Sequence, residues 1–532
     1  MSTLTEKKSA RPTKRSQGRP LPELIFGDLW EFDPAPETAD PKLKPRYELF
    51  IGGKFVAPAS GKYFDSTNPA NETKIAEFAL GGAADVDAAY AAAQKAQPAW
   101  AKLPGKERAK YLYRIARLLQ DRAREFAVAE TMDNGKPIKE TRDFDVPMAA
   151  AHFFYHAGWA DKLEYVAPGR RVAPLGIVGQ VIPWNFPLLM MAWKLAPALA
   201  VGNCAVIKPA TNTPLSALKL AEIIQDAGLP PGVVNILTGP GSTGGAIMAH
   251  PLAAKIAFTG STDVGKVIMR SVAGTEKRMT MELGGKAANI VFDDAPLDQA
   301  VEGIVNGIFF NQGQVCCAGS RLLVHEPVAD AVVAKLKNRL RVLRVGDPLD
   351  KNTDVGAIVS RDQLETVQGY LDAGVKEGAT MWQPPCRLPK KGFYLPPTIF
   401  TGVTQSHRIA REEIFGPVLS VLTFRTPAEA IAKANNTPYG LSAGIWSDKG
   451  SKILAVADQL RAGVIWANTF NRFDPASPFG GYKESGYGRE GGRQGLQAYL
   501  ESRSSSGGSS SAERVSRSSA QSARVETRGG KR

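Results

Sequence analysis

Two adjacent cysteines, Cys316 and Cys317, lie in the segment NQGQVCCAGSR, among small neighbouring residues. A thiolate is a strong nucleophile toward a carbonyl carbon, and the nearby glycines and alanine leave room for a ligand to approach the sulfur. The segment is therefore compatible with nucleophilic catalysis. Taken alone, it is explained at least as well by two buried structural thiols, whereas a disulfide between adjacent residues would be strained.

An acidic residue and an amide stand in similarly unusual surroundings. Glu282 lies next to two glycines in MELGGK, and Asn185 lies between two aromatic residues in VIPWNFP. Most such glutamates are ion-paired or solvated, so Glu282 alone is weak evidence for a site. The amide of Asn185, in an apolar turn stiffened by prolines, needs a hydrogen-bond partner, and a backbone group could supply it.

The segment FTGSTDVGKV, residues 258–267, nearly matches the P-loop pattern, because four residues separate Gly260 from Gly265 and Lys266. The pattern then requires Ser or Thr to hold Mg²⁺, which Val267 cannot do. A glycine turn from a strand into a helix still presents free N–H groups and the positive end of the helix dipole. The segment favours a nucleotide phosphate over an ordinary turn, and it argues against ATP hydrolysis in particular.

The histidines give no support for a metal centre. His152 and His156 have the spacing of one helix face, but no acidic partner completes the H-E-x-x-H pattern, and no cysteine pair has zinc spacing. We expect no metal site.

The elements that must position these residues alternate between helix and strand. Apolar runs such as GIVGQVI, CAVIKP, KIAFTG and ANIVF are separated by helical segments such as LSALKLAEIIQDAG, and a second series follows to about residue 500. The segment YLYRIARLLQDRAREFAVAE is expected to be one helix that ends at DNGKP. Strand–helix–strand repeats at this spacing predict an α/β fold with two doubly wound lobes, each built on a parallel sheet.

Charge is concentrated at the two ends of the chain. Of the net charge of +14, residues 1–20 carry +5 and residues 502–532 carry +5, so the body is only weakly basic. Both ends lack apolar periodicity and are predicted to be disordered. Nucleic acid is therefore an unlikely partner, no run of about 18 apolar residues predicts a membrane span, and four cysteines without a secretory signal favour the cytoplasm.

Taken together and in order, these segments resemble the aldehyde dehydrogenase superfamily. The matching motifs are PWNFP, IKP, FTGSTxxG, ELGGK, GQxCxAGSR, EEIFGPV, WAN and PFGGxKxSGxGRE, spread over residues 47–500. The resemblance implies NAD(P)-dependent oxidation of an aldehyde to a carboxylic acid through a cysteine thiohemiacetal and thioester. Members that transfer the acyl group to coenzyme A lack the glutamate that Glu282 matches, so hydrolysis to the free acid is expected.

The resemblance also implies a role for each matching residue. Cys316 would be the nucleophile, Glu282 the general base, and Asn185 a donor of the oxyanion hole. The cofactor would contact Ile182, Trp184, Lys208, Gly260, Ser261, Gly265, Glu413 and Phe415. The substrate tunnel would be lined by Met190, Trp193, Cys317 and Phe473, which suggests a mouth for apolar or aromatic aldehydes.

The implied organisation has two main domains with small additions. These are a disordered basic tail (1–24), an NAD(P)-binding domain (25–151 and 175–284), a short oligomerisation hairpin (152–174), a catalytic domain (285–483), an oligomerisation segment (484–501) and a disordered Ser/Arg/Gly tail (502–532).

Three departures from the family pattern qualify these expectations. Thr211 stands where NAD-preferring members usually have Glu, so NAD is expected first but NADP is possible. The segment that should form the oligomerisation hairpin is short, and the low-complexity end replaces the usual final strand. We therefore expect a homodimer in preference to a tetramer. Two alternatives remain open: an idle scaffold of the same fold whose basic tails bind a polyanion, and a P-loop nucleotide hydrolase.

Overall fold

The computed structural model describes residues 34–504, and it describes side chains as far as residue 502. Residues 1–24 and most of residues 502–532, the two predicted tails, lie outside the described residues. Residues 502–504 correct the predicted boundary of the second tail, because they form the end of a strand.

Within residues 34–504 the chain forms strands β1 Arg46–Tyr47, β2 Leu49–Ile51, β3 Lys54–Val56, β4 Tyr63–Thr67, β5 Lys74–Ala79, β6 Arg170–Pro174, β7 Ile177–Val181, β8 Cys204–Lys208, β9 Val234–Ile236, β10 Ala253–Thr259, β11 Arg278–Glu282, β12 Ala288–Val291, β13 Arg321–His325, β14 Thr380–Trp382, β15 Thr398–Thr401, β16 Val418–Phe424, β17 Ser442–Trp446, β18 Val464–Ala467, β19 Gly486–Tyr487 and β20 Leu500–Ser504.

The helices are α1 Ala83–Lys102, α2 Gly105–Asp121, α3 Ala123–Asn134, α4 Ile138–Glu140, α5 Val146–Ala157, α6 Pro187–Ala200, α7 Leu215–Asp226, α8 Gly241–Ala249, α9 Thr262–Val272, α10 Leu297–Phe309, α11 Ala329–Arg341, α12 Arg361–Lys376, α13 Arg408–Arg411, α14 Pro427–Asn435, α15 Gly450–Ala457 and α16 Gly492–Gln497. A π-helical turn, Thr141–Asp145, joins α4 to α5.

An eight-stranded sheet forms the first lobe, with the strand order β19-β11-β10-β7-β8-β9-β2-β3. Its five central strands, β11 to β9 in that order, run parallel. All five residues of β8 are buried, as expected for a strand covered on both faces. The carboxyl ends of parallel strands share one edge of a sheet, and this edge carries most of the residues predicted to bind the cofactor.

A seven-stranded sheet forms the second lobe, in the order β14-β15-β16-β13-β12-β17-β18. It is parallel except for the edge pair β14 and β15. All of its strands fall within residues 285–483. The two sheets, each accompanied by helices, confirm the prediction of two α/β lobes.

The predicted long helix is interrupted. Helix α2 buries Leu112, Ile115 and Leu119, in agreement with the predicted apolar face. The backbone then leaves helical geometry at Arg122, whose side chain pairs with Glu125 and Glu222, so a second helix, α3, follows. The predicted stop is correct, because α3 ends at Asn134 and Gly135 takes the left-handed conformation, with φ of 91°.

Two predictions about the oligomerisation elements are wrong. Residues 152–174 hold the end of α5, a 3₁₀ turn and the single strand β6, and not a hairpin. The final strand, which the low-complexity sequence appeared to exclude, is present as β20 and pairs antiparallel with β6 from Leu500 to Ser504. Backbone hydrogen bonds do not depend on side-chain type, so a serine-rich segment can complete a two-stranded sheet.

The range predicted as the oligomerisation segment, residues 484–501, also has a second role. Its strand β19 joins the edge of the eight-stranded sheet beside β11, where Glu282 pairs with Gly486. The segment therefore contributes to the lobe that carries Glu282.

Candidate active site

One pocket contains most of the residues predicted for catalysis and for the substrate tunnel. Its walls include the predicted Glu282, Cys316, Met190, Trp193, Cys317 and Phe473, together with Phe144, Phe186, Leu189, Thr259, Val315, Phe479 and Glu490. A thiol and a carboxyl group therefore face the same mostly apolar, strongly aromatic cavity.

Helix α6 supplies one wall of the pocket. It begins at Pro187, and proline suits a first helical position because its missing N–H would have no partner in the helix there. Met190 and Trp193 are three residues apart and so share a face of the helix. The ring centroid of Trp193 lies 6.3 Å from that of Phe473 and 5.5 Å from that of Phe479. The sequence-predicted tunnel residues thus pack against one another.

Cys316 lies in a loop that the backbone holds in an unusual shape. Asn311, Gln312 and Gly313 are all left-handed, with φ of 47°, 54° and 73°. The side chain of Gln314 accepts the N–H of Val359 at 3.1 Å. Gly285 faces the carbonyl of Cys316 so closely that a Cβ there would clash with it. The left-handed turn and these two contacts therefore fix the loop, which orients the thiol.

The two adjacent thiols differ in exposure. Cys316 is partly exposed and Cys317 is buried. A hydrogen bond with the Cys317 thiol, followed by burial, raises the pKa of Cys316 well above its ordinary value. The resting thiol is therefore protonated, so nucleophilic attack requires a group that removes its proton.

Glu282 ends β11 and is buried, and neither of its carboxyl oxygens has a hydrogen-bond partner. Burial, and secondly the nearby Glu490, raise the pKa of Glu282 well above its ordinary value, while Lys194 acts in the opposite direction. An unpartnered carboxyl group in a cavity is free to accept a proton from another molecule, and a perturbed pKa of this kind is typical of functional sites.

A buried ion pair between Lys194 and Glu490 completes this side of the pocket, and sequence reasoning missed it. Lys194 is fully buried on α6, and Glu490 lies on the pocket wall. A signal was present: a lysine within the apolar helix segment MMAWKLAPAL must have a buried partner. Nothing in the sequence could identify that partner, because it lies 296 residues away.

Asn185 is buried just before α6 and is not among the wall residues of the pocket. Its side-chain nitrogen donates to the carbonyl of Gln314 at 2.9 Å. Gln314 lies two residues before Cys316, so the amide of Asn185 is tied to the loop that carries the thiol. A side-chain amide nitrogen has two N–H donors, and this hydrogen bond uses one of them.

The strand-to-helix turn at residues 258–267 carries the cap of α9. Ser261 caps this 11-residue helix, and its hydroxyl accepts the N–H of Val264 at 3.4 Å. Such a helix end suits a phosphate group. Lys266 instead pairs with Glu484 at 2.8 Å, and Val267 is exposed.

The glycines of this turn serve packing. A Cβ at Gly260 would strike the ring of Phe258, and one at Gly265 would strike Leu283. These two residues therefore let the turn and α9 approach the sheet, whereas Ser261 and the helix end offer polar groups.

The end of β8 carries Lys208, opposite Ile182. The N–H of Ile182 donates to the carbonyl of Lys208 at 3.1 Å. The Lys208 ammonium donates to the carbonyl of Pro209 at 2.8 Å, and burial lowers the pKa of Lys208 to about 8. Thr211 follows, and its hydroxyl donates to the carbonyl of Gly239 at 2.9 Å. The end of β8 therefore carries one cation, Lys208, and position 211 has a hydroxyl group in place of a carboxylate.

Glu413 reaches the turn that follows Glu282. One of its oxygens accepts the N–H of Gly285 at 2.8 Å, and a Cβ on Gly284 would strike the other. Burial raises the pKa of Glu413 to about 7. The two glycines of ELGGK therefore have separate functions: Gly284 admits the Glu413 carboxylate and Gly285 admits the backbone of Cys316.

Two aromatic residues predicted to contact the cofactor meet across the lobes. The rings of Trp184 and Phe415 lie edge to face, with centroids 5.1 Å apart. Phe415 has a positive φ of 57°, which is rare for an aromatic residue and typical of strained functional positions. Its carbonyl accepts a hydrogen bond from Gln363 at 3.0 Å, which helps hold this conformation.

The described residues 34–504 contain no group of three or more His, Cys, Asp or Glu side chains arranged to hold a metal ion. No helix in that range combines the length and the apolar character needed to cross a bilayer.

Comparison with known proteins agrees with this geometry. The aldehyde dehydrogenase family profile matches residues 55–505. An aldehyde dehydrogenase of Alternaria alternata is 45% identical over 466 residues, 86% of this chain and 94% of the relative. The mitochondrial benzaldehyde dehydrogenase of Antirrhinum majus is 44% identical over 478 residues, 87% of this chain and 90% of the relative.

Among solved structures, the NAD⁺ complex of an aldehyde dehydrogenase from Bacillus cereus is similar, with a TM-score of 0.84 and 41% identity over 87% of this chain and 99% of the other. Sequence and fold therefore agree over nearly the whole described part of the chain. The chain belongs to the aldehyde dehydrogenase family.

Proposed function

We propose that this aldehyde dehydrogenase oxidises neutral aromatic or arylalkyl aldehydes to carboxylic acids, with NAD⁺ as the acceptor and Cys316 as the nucleophile. The observation that carries the proposal is that Cys316 and the unpartnered carboxyl group of Glu282 face one apolar pocket. A catalytically idle scaffold has no comparable support, because it would have no use for this arrangement.

The residues at the carboxyl edge of the first sheet fit a nicotinamide dinucleotide. The Ser261-capped end of α9 suits the pyrophosphate, and Lys208 suits the adenosine ribose. Glu413, buried and held by the Gly285 N–H, suits the hydroxyls of the second ribose. Trp184 and Phe415 provide aromatic surface beside the pocket that holds Cys316.

The chain's own groups account for attack on the aldehyde. Glu282, once ionised, removes the proton from the Cys316 thiol, and the sulfur adds to the carbonyl carbon to give a thiohemiacetal. The amide of Asn185 holds the resulting oxyanion, a contribution that typically amounts to ~10²–10³ in rate. A dinucleotide held by Lys208, the Ser261-capped end of α9 and Glu413 would supply the acceptor for the hydride of the former carbonyl carbon, and Cys316 would then carry the acyl group as a thioester.

Release of the product uses the same carboxyl group. Glu282 first passes the thiol proton towards Glu490 and is ionised again. It then removes a proton from water, the hydroxide adds to the thioester, and the carboxylic acid leaves as the thiolate of Cys316 is regenerated. The Lys194–Glu490 pair next to Glu282 offers a buried route for that proton, because Glu490 shares the pocket wall with Glu282. Lys194 also favours the ionised form of Glu282.

The residues that line the pocket indicate which class of aldehyde it accepts. Four phenylalanines and Trp193 surround the thiol, and the ionisable wall groups, Glu282, Glu490, Cys316 and Cys317, belong to the catalytic end. A charged aldehyde would therefore lose its hydration without gaining a partner. An aryl ring can pack edge to face against these aromatic residues.

Use of NADP⁺ as well as NAD⁺ is also proposed, and it rests on Thr211. A neutral hydroxyl engaged with Gly239 supplies no charge to repel a 2′-phosphate. We still rank NAD⁺ first, because the similar aldehyde dehydrogenase of Bacillus cereus was solved as an NAD⁺ complex, although Lys208 at the same corner could pair with a 2′-phosphate.

We further propose a homodimer in the cytoplasm. The β6–β20 sheet has only two strands of five residues, which is little surface for a tetramer interface. The four cysteines are free thiols, as a reducing compartment would keep them. Nucleic acid remains an unlikely partner, because the body is only weakly basic.

The test is formation of NADH with purified protein and a panel of aliphatic, aromatic and charged aldehydes. We expect the highest kcat/KM for neutral aromatic aldehydes, weaker activity with NADP⁺, and no activity in Cys316→Ala. Cys386→Ala removes a partly exposed thiol outside the pocket and is the matched control. Activity that survives Cys316→Ala refutes the nucleophile, and a preference for charged aldehydes refutes the substrate class.

A further inference from the structure

A cluster of buried ionisable side chains lies outside the catalytic pocket, in residues 136–145. This segment begins within the DNGKP motif that was predicted to end a helix. Lys136, Glu140 and Asp145 are all buried, and none of them lines the pocket. Burial of ionisable side chains costs free energy unless they are paired and hydrogen-bonded, and here burial raises the pKa of Asp145 and raises that of Glu140 to about 8. The catalytic steps proposed above use none of these three side chains.

Lys136 is directed at the residues that precede α6. Its ammonium donates to Asp145 at 2.6 Å and to the backbone carbonyl of Asn185 at 2.8 Å. It also lies over the ring of Phe186, 4.0 Å from the centroid. A fully buried cation is thus in contact with the peptide unit between Asn185 and Phe186.

A second donor holds the same carbonyl. The side chain of Asn311 donates to the Asn185 carbonyl at 2.8 Å, and the backbone N–H of Asn311 donates to Glu140 at 2.9 Å. The side-chain amide of Asn185 is in turn bonded to the carbonyl of Gln314. Two donors on one carbonyl oxygen fix the plane of that peptide, and so fix the backbone from which the Asn185 side chain projects.

We propose that Lys136 is a positioning residue for the oxyanion donor, acting through the backbone carbonyl of Asn185 and balanced by Asp145. The inference rests on the proposed function, because it assumes that the Asn185 amide binds the oxyanion. Within the described part of the chain, removal of Lys136 leaves Asn311 as the remaining side-chain donor to the carbonyl, so the peptide can tilt. Misplacement of a catalytic group by about 1 Å can cost on the order of 10²-fold in rate.

The test is a double-mutant cycle measured as kcat/KM for the best aldehyde substrate. Lys136→Met is combined with Asp145→Asn, so that neither charge is left buried and unpaired. This pair of changes is introduced into the wild-type protein and into Asn185→Ala. Coupled residues give non-additive effects in such a cycle, and independent residues give additive ones.

We expect Asn185→Ala to lower kcat/KM by ~10²–10³-fold. In the wild-type background the Lys136→Met, Asp145→Asn pair should lower it by about tenfold or more, and in the Asn185→Ala background by less than about twofold, as coupling through one donor requires. An equal loss in both backgrounds overturns the positioning role while leaving the proposed function intact. Unchanged kcat/KM in Asn185→Ala overturns the oxyanion assignment, and with it this inference.

A matched control separates positioning from general damage. Lys219 is also almost fully buried, and it likewise donates to a carboxylate, that of Glu125, and to a backbone carbonyl, that of Pro41 at 2.8 Å. The pair Lys219→Met and Glu125→Gln should leave kcat/KM within about twofold of wild type in both backgrounds, since it touches no site residue. A loss equal to that of the Lys136 pair would show that any buried ion pair has this effect, which overturns the inference.

Discussion

At the scale of single residues, the two neighbouring thiols differ in exposure to solvent. Cys316 faces the pocket, while Cys317 is buried and is the main cause of the raised pKa of Cys316. A raised thiol pKa reduces the thiolate fraction at neutral pH and so protects the resting protein from adventitious oxidation. Reactivity then depends on Glu282, which is close enough to lie in the same pocket wall.

Replacement of Cys317 should therefore make Cys316 more acidic. In Cys317→Ala the hydrogen bond that raises the pKa is absent, so the alkylation of Cys316 by iodoacetamide should begin at lower pH than in wild type. The rate is followed by mass spectrometry of the Cys316 peptide across a pH series, and the Cys386 peptide in the same samples is an internal control. A profile that is unchanged or moves to higher pH contradicts the assigned cause.

The pH dependence of turnover tests the second residue-scale claim. Glu282 must be ionised to act as a base, and its pKa is raised, so kcat should increase with pH as the proton is lost. Lys194 lowers the pKa of Glu282, and Lys194→Met should therefore shift this increase to higher pH. The variant Lys219→Met, also with a buried lysine removed, should not shift it. A shift to lower pH in Lys194→Met would contradict the account.

At the scale of elements, the turn between β11 and β12 determines how the two lobes meet. Gly284 admits the Glu413 carboxylate and Gly285 admits the Cys316 backbone, so two adjacent glycines connect the cofactor side to the catalytic side. Glycine is needed here for close approach. Both residues have ordinary backbone angles, and neither is among the residues with positive φ.

Gly284→Ala should displace Glu413 and weaken cofactor binding. Loss of a charge-assisted contact to the ribose predicts a rise in the KM for NAD⁺ on the order of tenfold, with a smaller change in the KM for the aldehyde. The control is Gly369→Ala on α12, where a Cβ meets nothing within 4 Å. Steady-state kinetics with both substrates would contradict the prediction if the two KM values rose equally.

The sequence predicted some elements well and others poorly, for identifiable reasons. Buried parallel strands such as β8 are recognisable because both faces are covered and the residues are almost all apolar. The strand β20 was missed because its residues are polar and serine-rich, and only its pairing with β6 makes it a strand. The helix break at Arg122 was missed because the Arg122 side chain pairs not only with Glu125, three residues along the chain, but also with Glu222, and a local pattern does not show that tertiary contact.

Some residues of the candidate active site could likewise be predicted from the sequence, and others could not. Cys316, Glu282 and the tunnel residues could be predicted because each lies in a short motif with characteristic spacing. The Lys194–Glu490 pair could not, since a local pattern cannot specify a partner nearly 300 residues away, although the lysine in an apolar helix was a recognisable signal. The contact of Lys136 with Asn185 could not be predicted from the sequence, because Lys136 binds a backbone carbonyl and every residue has one.

At the scale of the whole molecule, the β6–β20 sheet is the element on which the proposed homodimer depends. A two-stranded sheet is marginal on its own in water. The expectation of a homodimer no longer rests on a missing final strand, and it now rests on the small size of this sheet.

Sedimentation velocity should give a single species with twice the chain mass of 57.0 kDa. A chain that ends at residue 499 lacks β20 and is compared with the full-length chain. It should be less stable to unfolding than the full-length chain while it still catalyses the reaction. A species with four times the chain mass would contradict the homodimer.

The central claim is that turnover proceeds through an acyl group on Cys316, and it can be tested directly. In Glu282→Gln both the attack by Cys316 and the hydrolysis of the thioester lose their base, so the reaction is run at raised pH, where the Cys316 thiol ionises without Glu282. Hydrolysis of the thioester should still be slower than in wild type by ~10²–10⁴-fold. After that variant is mixed with NAD⁺ and an aromatic aldehyde and rapidly quenched in acid, mass spectrometry of its peptides should find the acyl mass on Cys316. An acyl group on Cys317 or Cys386 instead, or steady turnover with Cys316 unmodified throughout, would contradict the account.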